Sequence, residues 1–178
     1  MNRKGVAAFA VVSFAASWFA AGAPSVPPRH QDVRIVAGHD RRVHDAVTAY
    51  FAGSAAPLFG GSYPDGAGRT VVLVTGHIDR VRADLAGVTH HGAPVLVRSA
   101  RFPLARLVAI VDTLTLRVEA LRADGALIAS VSVDEEANRV VVGMEKVSST
   151  ARAVVLSAVA RSDRSAIAFE VSGPNFLE

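Results

Sequence analysis

Hydrophobic and polar positions repeat in the same order twice along this chain. Each copy has the pattern of a strand, a turn, a second strand, a helix and a return strand. In the first copy these segments are 58–63, 65–68, 69–75, 78–86 and 94–98. In the second copy they are 128–133, 134–138, 139–144, 148–161 and 167–171. A duplicated ββαβ unit predicts an α+β protein with two small mixed or antiparallel sheets, and it disfavours an enzyme built around one catalytic loop.

The two predicted turns share their chemistry. An Asp opens each turn (Asp65, Asp134), and an Arg opens each strand that follows (Arg69, Arg139). Asn138 can adopt the left-handed backbone conformation that a tight hairpin requires. We therefore expect Asp65 and Asp134 to occupy equivalent hairpin turns.

Local patterns predict the surroundings of the strands and helices in the modules. The apolar run 71–74 indicates a strand covered on both faces. Serines and valines alternate over 130–133, as in a half-exposed strand. Gly87 is placed to end the first module's helix. The second module's helix is expected to bury Ala151, Val155 and either Leu156 or Val159.

Two further helices are predicted outside the repeated units. The first spans 40–51, with Asp40 as its N-cap. The second joins the modules from Pro103 to about residue 123, and Asp124 and Gly125 end it. Its apolar residues follow a spacing of three and four, at Leu104, Leu107, Val108, Val111, Leu114, Val118 and Leu121. This long amphipathic connector is expected to pack on both sheets.

The N-terminal pattern is that of a targeting segment. Arg3 and Lys4 precede an uncharged apolar run over 6–23, with a small-residue cleavage site at 21–23. Because Pro24 follows that site, a membrane anchor retained at 6–23 is the alternative. The predicted organisation is a leader or anchor (1–23), a spacer (24–39), the first helix and module (40–102), the connecting helix (103–125) and the second module with its tail (126–178).

Composition removes several classes of function. Hydrophobic residues make up 51% of the chain, enough for a buried core, and there is no Cys for disulfides, thiol catalysis or a lipid anchor. Of the 19 Lys and Arg residues two lie in the leader, which leaves 17 against 16 Asp and Glu. The remaining basic residues form no cluster that resembles a phosphate-tracking stripe, so nucleic-acid binding is not expected.

Catalytic motifs are incomplete. The six histidines include one adjacent pair, His90 and His91, for which no third metal ligand is near in sequence. His77 has no partner serine in a Gly-Asp-Ser-Gly or Gly-x-Ser-x-Gly context. The acidic turn at 134–136 could serve acid–base chemistry or bind Ca²⁺, but it is more typical of a solvated hairpin tip. Gly60 and Gly61 lack the helix and Lys of a phosphate loop. We predict no enzyme activity, no metal and no cofactor.

Two strings of residues suggest a family. The first string is Phe59, Gly60, Gly61, Ser62, Tyr63, Asp65, Gly68, Arg69 and the run 71–75. The second string is Val131, Ser132, Val133, Asp134, Ala137, Asn138, Arg139 and the run 140–142. Over residues 40–171 the chain resembles the propeptides of bacterial secreted chymotrypsin-fold serine proteases, the streptogrisin and alpha-lytic protease group.

This resemblance implies a function. Such propeptides assist the folding of the protease that follows them and then inhibit it. Their C-terminal module docks a sheet edge on the protease, and their tail lies in the active-site cleft. It implies partner-binding residues at Phe176, Leu177 and Glu178 in this chain. No protease sequence follows Glu178, so action in trans, a relic of a longer precursor, or a recruited binding module all stay open.

The sequence therefore predicts a non-catalytic exported protein that acts as folding chaperone or inhibitor of a separate secreted trypsin-like serine protease. The alternative is a secreted or cell-surface protein-interaction module without a protease partner. An enzyme that uses His90, His91 or the acidic turn is a third, less favoured hypothesis.

Overall fold

The computed structural model describes residues 39–88 and 95–172. The leader, most of the spacer, His90, His91 and the predicted partner-binding residues Phe176 to Glu178 lie outside the described residues. The helices and strands in chain order are α1 (His39–Phe51), β1 (Phe59–Pro64), β2 (Thr70–Val74), α2 (Ile78–Val88), β3 (Val95–Ser99), α3 (Leu104–Leu116), α4 (Val118–Ala123), β4 (Ile128–Asp134), β5 (Arg139–Met144), α5 (Ser149–Ser157) and β6 (Ile167–Val171). Short 3-10 helices cover Ala56–Leu58 and Arg161–Ala166.

The predicted α+β fold is confirmed. The described strands form two three-stranded sheets, ordered β1-β2-β3 and β4-β5-β6. In each sheet the first pair of strands is antiparallel and the second pair is parallel, with the helix of the module as the crossover. Each first strand also carries one irregularity near its start, between Phe59 and Gly61 in β1 and between Ile128 and Ser130 in β4. The two modules therefore share topology and register details.

The predicted equivalence of the Asp65 and Asp134 turns is confirmed, and in each turn the Asp also bonds the Arg that follows. Oδ2 of Asp65 accepts a hydrogen bond from Nε of Arg69 at 2.8 Å, and Oδ2 of Asp134 accepts one from Nε of Arg139 at 3.2 Å. Oδ1 of each Asp accepts from backbone N–H groups inside its own turn. The carboxylates thus satisfy backbone donors that the short loops leave free.

Left-handed backbone geometry precedes the Arg in both turns. Gly68 has φ 75° and Asn138 has φ 50°, as predicted for Asn138. Glycine meets no steric penalty at such angles, and Asn tolerates them because its side chain can bond locally. The two hairpin turns therefore have the same left-handed geometry at different residues, Gly68 and Asn138.

The first module has its sheet covered on both faces, as the apolar run predicted. Val72 and Val74 lie in a core with side chains of α1 and α2. Val71 and Leu73 point the opposite way by strand alternation, and they are also buried, at 0% and 4% exposed. The helix side chains of this core are Val43, Val47, Phe51, Val81 and Leu85.

The second module has its core on one face. Val140, Val142 and Met144 of β5 pack with residues of α3, α4 and α5. Ser130 and Ser132 of β4 are exposed on the other face, which confirms the predicted half-exposed strand. Ala151 and Val155 of α5 are buried, and so is Val159, which follows the end of that helix, whereas Leu156 is half-buried.

The connecting helix is interrupted, contrary to the prediction of one continuous helix. Arg117 adopts φ −110° and ψ 5°, which separates α3 from α4. Its guanidinium donates to the carbonyl of Ala158 at 3.1 Å, and the change of direction brings Leu121 into the second core. The buried stripe of α3 also differs, since Ile110 is 3% exposed and Val108 is 44% exposed. As predicted, α3 contacts both sheets, through β1, β4 and β5.

Three predicted helix ends were wrong. Helix α1 begins at His39, so Asp40 lies inside it. Helix α2 continues through Gly87 to Val88, and Gly87 lacks the positive φ of a C-terminal cap. Helix α5 ends at Ser157 rather than residue 161, because Ala160 is extended and the chain turns to bury Val159. Within the described ranges, no helix has the length and apolar character needed to cross a bilayer.

Candidate functional site

The histidines that the structure describes are not assembled into a catalytic group. His44 of α1 and His77 are exposed. His77 has φ 53°, and its carbonyl accepts the N–H of Val81 at 2.9 Å, so it serves the start of α2 through its backbone. Over residues 39–88 and 95–172, no three His, Asp or Glu side chains gather in a way that could hold a metal ion.

The acidic turn is solvated only in part, at Glu136 and Ala137, where the sequence suggested a solvated tip. Glu135 is half-buried, and its Oε2 accepts the backbone N–H of Ser62 at 2.7 Å. This bond joins the second hairpin to β1 of the first module, 73 residues earlier in the chain. Gly61, with φ 121°, makes room for it, since a Cβ there would lie 2.9 Å from the same carboxylate oxygen. Of the two glutamates in this turn, Glu135 and Glu136, only Glu136 is exposed.

Both the oxygen and the nitrogen of the Asn138 side-chain amide form hydrogen bonds that join the two modules. Its Oδ1 accepts the N–H groups of Arg101 and Phe102, each at 2.8 Å. Its Nδ2 donates to the carbonyls of Gly60 at 3.0 Å and of Phe102 at 2.9 Å. The residue is 8% exposed, and it is the one polar residue that is buried among the described residues. We call Glu135 and Asn138, with their backbone partners, the module junction.

A cleft of about 340 Å³ lies beside the module junction. Its lining residues are Leu73, Ser99, Arg101, Phe102, Glu136, Ala137, Asn138, Arg139 and Ser165. The amide of Asn138 is fully bonded, Arg139 pairs with Asp134, and the guanidinium of Arg101 lies 5.1 Å from the ring centre of Phe102. This lining contains no His, the usual general base of acyl transfer.

Among the residues that the structure describes, Asp65 and Tyr50, both outside the cleft lining, have shifted pKa values. The Arg69 side chain beside Asp65, together with the N–H groups of the turn, lowers the pKa of that carboxyl. Burial raises the pKa of the Tyr50 hydroxyl, and its 2.9 Å hydrogen bond to the Asp84 carboxylate raises it further. Both shifts follow from structural contacts of hairpin and helix, so neither marks a reacting group.

The candidate for a partner contact is the outer edge of β6, which we call the β6 edge. Strand β6 ends its sheet and pairs with β5 alone among the strands that the structure describes. The exposure of its core-side residues increases towards the end of the strand. Ile167 and Phe169 are half-buried, with the guanidinium of Arg152 5.5 Å from the Phe169 ring centre, whereas Val171 is 72% exposed. A row of backbone donors and acceptors next to an exposed valine can pair with another extended strand.

The outer face of the second sheet combines small residues with Val141 and Glu170. Ser130 pairs with Gly143 across the β4–β5 ladder, and Ala168 of β6 also lies on this face by strand alternation. The hydroxyls of Ser130 and Ser172 both lie over Gly143, in the space that a Cβ would take. This face carries no large apolar patch, so the β6 edge is the better candidate for contact.

Sequence reasoning identified the strands of this surface but missed the module junction. The backbone geometry of Asn138 was expected, whereas its four hydrogen bonds were not, since their partners lie 36 to 78 residues away. The adjacent pair Gly60 and Gly61 was the available signal for a close approach. The predicted tail site at Phe176, Leu177 and Glu178 lies beyond the described residues. In comparison with known proteins, no family model matches this chain and no curated protein matches it.

Proposed function

We propose that this protein is a non-catalytic exported protein that acts as folding chaperone, inhibitor or both towards a secreted trypsin-like serine protease. One observation carries the proposal: a duplicated ββαβ module in which β6 ends the second sheet and, among the described strands, pairs with β5 alone. The resemblance of residues 40–171 to protease propeptides gives the class of partner. The leader, or an anchor retained at 6–23, would place the protein outside the cytoplasm.

The β6 edge suits a partner with a slow, non-local β fold. A protease barrel must form many contacts between distant strands, which makes its folding barrier high. A preformed strand edge lowers that barrier by offering backbone hydrogen bonds to a strand that has no partner yet. Such pairing is largely independent of side chains, so side chains beyond the strand have to supply specificity. Phe176, Leu177 and Glu178 are the proposed residues for that role.

The module junction supports the same function by keeping the edge rigid. Glu135 and Asn138 hold the second hairpin against β1, and α3 contacts both sheets. A template that is already ordered avoids the entropy cost of ordering on binding. We therefore infer that the first module acts as a support for the second.

The second candidate is a secreted or cell-surface interaction module without a protease partner. Its support is the generic character of the β6 edge, because backbone pairing accepts an extended strand from many proteins. This candidate predicts strand binding without any effect on protease folding or activity.

The experiment uses the same substitution at two exposed valines. Val171→Glu places a charge beside the β6 edge, and Val108→Glu places one on α3, where the valine is 44% exposed. We expect the unchanged protein to inhibit a streptogrisin-type protease and to raise its refolding yield. Val171→Glu should weaken inhibition about tenfold, the effect of roughly 1.4 kcal/mol, and Val108→Glu should leave it unchanged. Both variants should keep the parent melting temperature.

A third variant lacks residues 175–178 and tests the tail. Weaker inhibition at an unchanged melting temperature supports the proposed partner-binding role. A melting temperature lower by several degrees with intact inhibition would show that the tail is structural. If the unchanged protein neither inhibits nor assists folding of chymotrypsin-fold proteases, the proposal fails and the interaction-module candidate takes its place.

A further inference from the structure

The edge strands of the two sheets differ in how they are protected against pairing with other chains. Strands β1 and β4 each contain a register irregularity, and β1 ends in Pro64, features that oppose edge-to-edge pairing. Strand β3 carries Arg98, whose guanidinium lies 3.4 Å from the Tyr63 hydroxyl. Strand β6 pairs with β5 without interruption and contains neither Pro, Lys nor Arg. Of the described edges, β6 is the least protected.

The residues of β6 are complementary to themselves in one antiparallel register. Strands related by a two-fold axis pair residues of the same face. Centred on Phe169, all five residues pair, with Ile167 opposite Val171 and Ala168 opposite Glu170. A shift that centres the pairing on Glu170 sets the two glutamates directly opposite each other, which is unfavourable. A shift that centres it on Ala168 leaves Val171 without a partner residue in the strand.

The register centred on Phe169 also covers the exposed apolar residue of this strand. Val171 is 72% exposed, and in this register it lies beside Ile167 of a second copy on the same sheet face. The result is a continuous six-stranded sheet with both α5 helices on one side. We propose that the chain associates with a second copy of itself through β6, in the antiparallel register centred on Phe169. One short strand buries less than the roughly 1,200 Å² of a stable interface, so the dimer is weak and concentration-dependent.

This self-pairing goes beyond the proposed function and does not depend on it. It requires no protease and no tail residue, only the β6 edge. It also has a consequence if the proposed function holds, because a paired β6 edge is closed to any other strand.

The test compares a positive with a negative side chain at position 168. Ala168 lies opposite Glu170 in the proposed register, on the sheet face away from the helices. Ala168→Lys creates two attractive pairs per dimer, and Ala168→Glu creates two repulsive pairs. Because two cross-strand charge pairs change in each dimer, we expect Ala168→Lys to lower the dissociation constant about tenfold and Ala168→Glu to raise it about tenfold. Sedimentation equilibrium on the whole chain measures the dissociation constants.

Charge reversal and an edge control complete the experiment. Ala168→Glu combined with Glu170→Lys should restore the association that Ala168→Glu removes. Ser132→Lys and Ser132→Glu, at an exposed position of β4, should leave the dimer dissociation constant unchanged. A parent protein that stays monomeric at millimolar concentration, with Ala168→Lys equally monomeric, refutes the pairing. Dimers that respond alike to Lys and Glu at position 168 refute the register. Inhibition of a protease by the monomer is measured separately, so the two proposals fail independently.

Discussion

Replacement of Asn138 should loosen the connection between the modules more than any other single side-chain truncation at the hairpins. Its amide makes four hydrogen bonds, to two N–H groups and two carbonyls of the backbone. Asn138→Gly removes them all while keeping a residue that accepts φ 50°. Each buried backbone group left without a partner costs about 1–3 kcal/mol. Water can reach the part-buried N–H of Arg101, so we expect a loss of about 3–4 kcal/mol in the free energy of unfolding.

Two further substitutions separate backbone strain from hydrogen bonding. Asn138→Ala loses the same bonds and adds strain at positive φ, so it should cost about 1 kcal/mol more than Asn138→Gly. Gly68 occupies the equivalent place in the first hairpin, with φ 75° and open space around it. Gly68→Asn therefore tests the turn geometry at a position outside the module junction, and we expect the free energy of unfolding to change by about 1 kcal/mol or less.

Urea denaturation followed by circular dichroism measures these differences by linear extrapolation. We also expect Asn138→Gly to broaden the transition or split it in two, because each sheet has its own buried core and the amide bonds join them. A loss below about 1 kcal/mol, with a transition as steep as that of the parent, would show that α3 alone couples the modules and would refute this reasoning.

Two other predictions concern Gly60 and Asp65 of the first module. Gly60→Ala should destabilise the protein by about 1–3 kcal/mol, as an overpacked core substitution does, because a Cβ at Gly60 would lie 2.5 Å from that of Ala100. Gly66→Ala, with nothing within 4 Å, is its control, and equal thermal shifts for both would contradict the steric argument. The lowered pKa of Asp65 adds stability that is present above its unfolded pKa and is lost as pH falls through the folded pKa. Asp65→Asn should therefore make the melting temperature fall less steeply with pH below about pH 4–5, the range set by an unfolded Asp pKa of about 3.9. If the melting temperature of this variant falls as steeply as that of the parent, the prediction is wrong.

The sequence by itself determined the features that depend on neighbouring residues. Strand β5 and strand β6 have the predicted bounds, because period-two alternation and flanking turn residues act within a few positions. The left-handed geometry of Asn138 and the bonded pairs of Asp and Arg at both turns follow from the same local chemistry. The repetition of these signals made the duplicated topology predictable as well.

Tertiary structure decided where those elements meet. At the break, the side chain of Arg117 bonds the carbonyl of Ala158, 41 residues later, and no periodicity in the helix contains that contact. The amide of Asn138 reaches Gly60 across 78 residues, and Glu135 reaches Ser62 across 73. Such contacts form only when packing has brought distant backbone groups together, and a buried polar group then has to find its partners there. For the same reason the position of β6 at the end of its sheet, on which both proposals depend, became visible only when the second sheet had been assembled.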